Sequence, residues 1–114
     1  ELTLAESLNG TVWQVQATPN PAGATASYID GGVSCTGPNA CSAVGSYTDS
    51  SGVQLTLAES WNGTAWTVGT TPNPAGAIES QLNGVSCASG GTCTAVGYSA
   101  PSLFNQRALA EVKT

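Results

Sequence analysis

The sequence predicts an all-β protein, and three observations carry that prediction. No window sets apolar residues at helical spacing over ten or more positions. Short apolar runs are punctuated by Asn-Gly, Gly-Gly and Pro-Asn-Pro, which turn or break a chain. The chain also repeats itself. Thr3-Leu4-Ala5-Glu6-Ser7-Leu8-Asn9-Gly10-Thr11-Val12-Trp13 returns as Thr56-Leu57-Ala58-Glu59-Ser60-Trp61-Asn62-Gly63-Thr64-Ala65-Trp66, an offset of 66 − 13 = 53. Thr18-Pro19-Asn20-Pro21-Ala22-Gly23-Ala24 returns at 71–77 with the same offset, and Cys35 and Cys41 return as Cys87 and Cys93, offset by 52. Such a period marks one supersecondary unit copied, each copy burying its faces on its neighbours. The 114 residues read as a single repeat domain, with copies at about 3–55 and 56–108 and an extra terminal strand at 108–114.

Asn9-Gly10 and Asn62-Gly63 predict two-residue hairpin turns of type I′, because Asn-Gly accepts positive φ at both central positions. That turn pairs Leu8 with Thr11, Glu6 with Trp13 and Leu4 with Val15. One face then carries Leu4, Glu6, Leu8, Thr11, Trp13 and Val15, and in the second copy Leu57, Glu59, Trp61, Thr64, Trp66 and Val68. Both Asn-Gly-Thr triplets also match the glycosylation acceptor pattern, but turn chemistry accounts for them without a glycan.

The segments 18–24 and 71–77 hold two prolines each and read as connectors leaving the sheet. Short strands follow at 31–35 and 84–87, then a tight loop, then return strands at 41–47 and 93–99. Thr48-Asp49-Ser50-Ser51-Gly52 is a polar turn into the next Asn-Gly hairpin. The unit is therefore four short antiparallel strands in about 52 residues, the size and content of one β-propeller blade.

Each cysteine pair flanks the loop of its own hairpin, with five residues between. The spacing predicts local disulfides, Cys35–Cys41 and Cys87–Cys93, rather than a four-thiolate metal site. No metal or cofactor is expected. Paired cysteines and low charge point to a secreted or cell-surface protein in an oxidising compartment. The net charge is −5, with Arg107 and Lys113 the only cations, so nucleic acid and anionic lipid are poor partners. No run is long enough to span a bilayer as a helix. Histidine is absent, and with it the usual base of nucleophilic catalysis.

Gly84-Val85-Ser86-Cys87, Cys93-Thr94-Ala95-Val96-Gly97 and Leu57-Ala58-Glu59-Ser60-Trp61-Asn62-Gly63-Thr64-Ala65-Trp66 together form a pattern over most of the chain. It resembles tandem repeats in secreted actinobacterial proteins. The resemblance implies a propeller-like fold and carries no catalytic residue with it.

Two blades cannot close a ring. The last strand, 108–114, repeats the Leu-Ala-Glu opening of the Asn-Gly hairpin and stops before its turn. The expectation is two blades with incomplete edges, completed by another chain or by further sequence. Self-association through the end strands would give a closed ring or a head-to-tail filament; three chains would supply six blades, within the roughly four to eight of known propellers.

The candidate ligand-binding residues are Trp13, Trp61, Trp66, Glu6 and Glu59. A flat indole suits the apolar face of a sugar ring, so carbohydrate is a candidate ligand, with Trp61 the most exposed of the three; packing between sheets is the bland role. Glu6, Glu59 and Glu111 fall on the apolar face, where a carboxylate needs donors. The expected donors are backbone N–H groups of the neighbouring sheet; the functional alternative is a ligand hydroxyl in the groove. A glycosidase would need two carboxyl groups across a cleft, and the seven acids are scattered singly. The sequence thus reads as a non-enzymatic extracellular repeat module for binding or surface assembly, or alternatively a structural subunit polymerising head to tail.

Overall fold

The computed structural model describes residues 2–9, 12–102 and 105–113. No helix occurs among them. The strands are β1 (Ala5–Asn9), β2 (Val12–Gln16), β3 (Ala26–Gly37), β4 (Ala40–Thr48), β5 (Gln54–Trp61), β6 (Trp66–Gly69), β7 (Glu79–Cys87), β8 (Cys93–Ala100) and β9 (Arg107–Lys113). β1 and β2 form a separate two-stranded hairpin. β3, β4, β5 and β6 form a four-stranded antiparallel meander, and β7, β8 and β9 a three-stranded one. One parallel bridge, Gln54 to Glu79, joins the two meanders edgewise. The described residues form no closed ring.

β3 and β7 are longer than the sequence suggests. β3 starts at Ala26 and β7 at Glu79, and each contains a bulge, between Tyr28 and Gly32 and between Leu82 and Gly84. The bulge presses a backbone carbonyl against the neighbouring strand. A Cβ at Gly45 would collide with the carbonyl oxygen of Tyr28, and one at Gly97 with that of Gln81. The glycine of each Ala-Val-Gly triplet is therefore needed where two backbones meet closely.

The core lies between the meanders, where Val44 packs with Leu82 and Ala95, flanked by Ala58, Val85 and Leu109. Polar bonds cross the same junction. Ser34 Oγ accepts from the Cys87 amide at 3.0 Å, and Gln54 Nε2 donates to Gln81 Oε1 at 3.1 Å. Both expected disulfides are closed, Cys35–Cys41 and Cys87–Cys93, and in each the two cysteines are register partners with Cα atoms 4.0 Å apart.

The Pro-Asn-Pro connectors lie outside the strands and act as clamps. Asn73 Oδ1 accepts from the Thr56 amide at 2.9 Å, and Thr71 Oγ1 donates to the Thr56 carbonyl at 3.1 Å. Asn20 and Thr18 hold Thr3 in the same way, at 3.1 and 3.0 Å. Each connector thus pins the entry of the strand it leaves behind.

The hairpin register differs from the expected one by two positions. Glu6 opposes Val15 and Leu8 opposes Trp13; Glu59 opposes Val68 and Trp61 opposes Trp66. A shift of two preserves the faces but removes the expected Glu–Trp pairs. The second hairpin closes through four residues, 62–65. Asn62 Oδ1 accepts from the amides of Thr64 and Ala65, both at 2.9 Å, and the Asn62 amide donates to the Ala65 carbonyl at 3.2 Å. Only Gly63 in this loop takes positive φ, 101°, whereas type I′ needs it at two positions. The asparagine side chain has capped its own loop instead. In the first hairpin Asn9, expected in the turn, opposes Val12; the other expected turn residue, Gly10, and Thr11, the expected partner of Leu8, lie outside the described residues.

Candidate functional site

The structure divides the five predicted site residues between two places. Trp61, Trp66 and Glu59 lie in the groove beneath the N-terminal hairpin, on one face of the first meander. Trp13 and Glu6 lie on the hairpin's opposite face with the exposed Leu4 and Val15, and Glu6 also borders the hollows that hold Trp66.

Alternation builds the groove. Strand pairing sets Ala43 beside Glu59, and Trp61 beside Trp66, so these side chains share a face. The hairpin presents Ala5, Ser7 and Gln16 to them. Gln16 is held by its own sheet, Nε2 donating to Ser7 Oγ at 3.0 Å, and its Oε1 accepts from Trp66 Nε1 at 2.8 Å. The Trp61 and Trp66 rings meet at 5.7 Å with a 44° tilt. Trp66 is only 8% exposed, and its indole is packing rather than a stacking platform. Trp61 is half-buried against it. Trp13 is the exposed indole, at 64%, which reverses the expectation for Trp61. The tilted contact with Trp66 is what withdraws Trp61 from solvent.

Glu59 is fully buried, at 0% exposure, and neither carboxylate oxygen has a hydrogen-bond partner. The expected backbone donors are absent, because the neighbouring hairpin packs face to face and spends its amides on its own ladder. Burial pushes the Glu59 carboxyl from 4.5 up to about 7. Glu111, its counterpart in the second meander, has both oxygens buried and unpartnered as well, and burial raises its pKa. Glu6 is exposed. Tyr98 donates to Glu79 Oε1; that bond first, then burial and the nearby charge, push the phenol up to about 12.

A feature that sequence reasoning missed lies between the meanders. A cavity of about 250 Å³ is bordered by Ala58, Gly69, Thr70, Ala95, Glu111 and Lys113. Lys113 Nζ donates to Ser60 Oγ at 3.1 Å across its mouth. The signal was present in the repeat: Lys113 stands where the second copy has Trp61. Among the described residues no cluster of His, Cys, Asp and Glu is gathered to hold a metal ion. Among them, too, no helix is long and apolar enough to cross a membrane.

Comparison of the chain with protein-family models, curated proteins and solved structures gives no match.

Proposed function

We propose that the chain is an extracellular repeat module of two β-propeller-type blades that works by binding or by surface assembly, without catalysis. The two meanders correspond to successive blades, and β1–β2 to the outer half of the blade before them. Two closed disulfides fit an oxidising compartment, where such bonds persist.

The observation that carries the reading is the state of the two ends. Leu4, Trp13 and Val15 stand exposed on the hairpin's outward face, and Val96 and Val112 on the outward face of the second meander. Inside the chain, the corresponding faces are the ones that cover each other. A repeat protein whose end faces stay apolar calls for a neighbour to cover them. Light scattering across protein concentration tests this: growth in mass supports assembly, a ring giving one fixed mass and a filament a ladder of sizes. A constant monomer mass would refute it.

One observation favours carbohydrate as the ligand of a binding module. Trp13 is an exposed indole on the same face as the exposed Glu6 carboxylate, a pairing that suits a pyranose ring. A glycan array read with the native chain and Trp13→Ala tests it; equal signals from both would remove sugar binding through this face.

A further inference from the structure

We infer that the cavity beside Glu111 is the socket for Trp13 of a second copy, delivered when β2 of that copy pairs along the open edge of β9. The inference rests on the assembly reading above and specifies its contact.

The first groove supplies the template. Trp66 shares hollows with Ala5 and Ala43, and with Gln16 and Trp61. The repeat offset carries those four positions to Ala58, Ala95, Gly69 and Lys113. All four border the cavity between the meanders. The cavity therefore occupies, in the second groove, the place that the Trp66 indole fills in the first. The buried, unpartnered carboxyl is repeated too, Glu59 in one groove and Glu111 in the other.

The edge matches as well. β5 carries β6 on the side away from β4, with Glu59 opposite Val68 and Trp61 opposite Trp66. β9, the counterpart of β5, pairs with β8 and has its other edge unpaired among the described residues. β2 has the sequence to take that place. Val12-Trp13-Gln14-Val15-Gln16 aligns with Ala65-Trp66-Thr67-Val68-Gly69. Applying the β5–β6 register sets Val15 of the second copy opposite Glu111 and Trp13 opposite Lys113. The Lys113 ammonium then meets the indole where Trp61 meets Trp66, a favourable cation–π contact. Trp13, 64% exposed in the single chain, becomes buried.

In the donating copy β9 replaces β1 as the partner of β2. The two strands share Leu-Ala-Glu, at 4–6 and 109–111, so the backbone pairing continues and Glu111 takes the place of Glu6 opposite Val15, while Val112 and Lys113 take those of Ser7 and Leu8 and the Gln16–Ser7 bond is given up. Exchange of equivalent elements between protomers is a low-cost route to association.

The experiment uses the full chain. Light scattering from micromolar to millimolar concentration is run on the native protein and on Trp13→Ala, whose exposed position leaves folding untouched. The double variant Val15→Cys/Glu111→Cys is then oxidised and sized without reductant. The expected results are a mass that grows with concentration, association weakened by about thirtyfold or more in Trp13→Ala, and covalent dimers and larger oligomers from the double variant. Association that persists unchanged in Trp13→Ala, with no disulfide crosslink formed by the double variant, overturns this contact while leaving assembly standing. A monomer at every concentration overturns both.

Discussion

The indole Nε1 of Trp66 donates to Oε1 of Gln16 at 2.8 Å, a bond that ties the N-terminal hairpin to the first meander across fifty residues of sequence. The hairpin shares no backbone ladder with the rest of the described residues, so its seat depends on side chains such as these. Trp66→Phe keeps most of the packing and loses the bond, costing about 1 kcal/mol. Trp66→Ala removes the packing too, costing about 3–5 kcal/mol. Denaturant melts of the two variants check the difference; a Trp66→Phe protein as stable as the native chain would mean that the bond adds nothing.

Glu59 makes stability depend on pH. Its folded pKa, about 7, lies above the usual 4.5, so the folded protein holds its proton more tightly than the unfolded chain. The contribution is fully present below about pH 4.5 and is lost as pH rises through about 7. Its size is about 3 kcal/mol from the pKa difference. Glu59→Gln should therefore be markedly more stable than the native chain at pH 8 and closely similar at pH 4. Thermal melts at both pH values test this, and a constant offset between the two proteins would refute it.

The Ala-Val-Gly glycines should tolerate nothing larger. Gly45→Ala and Gly97→Ala each push a methyl group into a backbone carbonyl that cannot swing aside, at a cost of about 3 kcal/mol or more. Gly37→Ala has open space around its Cβ and serves as the control. Similar melting points for all three variants would count against the close approach.

The disulfides differ in access. Cys93 is buried, whereas Cys35 is exposed. Limited reductant with alkylation mapping should open Cys35–Cys41 before Cys87–Cys93. Replacing either pair by serine should cost about 2 kcal/mol, the loop-entropy value for so short a ring. Opening in the reverse order would contradict the burial.

The connector clamp gives a final test. Thr56 is buried and its amide depends on Asn73 Oδ1. Asn73→Ala leaves that donor without its partner, at a cost of about 1–2 kcal/mol, while Asn73→Asp keeps the acceptor and should retain most of the stability. Equal losses in the two variants would argue against the bond.

Repetition alone determined much of this protein. A copied spacing of cysteines around a short loop admits a simple local pairing, and both disulfides follow it. Proline cannot donate to a ladder, so the connectors were legible as breaks, and alternation put Glu59 with Trp61 and Trp66 on one face. What the tertiary structure decided is whatever depends on a partner far away in sequence. Asn62 bonded its own loop and moved the register by two positions. Trp66 is sealed because Gln16 and the hairpin cover it, while Trp13, its copy, has no sheet over it among the described residues. Glu59 and Glu111 are unpaired because facing sheets keep their amides for their own ladders. Gly45 and Gly97 are required because bulged strands, invisible in local propensity, press their carbonyls onto them. Identical sequence motifs meet different neighbours at each position along the chain, and it is the neighbour that sets burial, protonation and exposure.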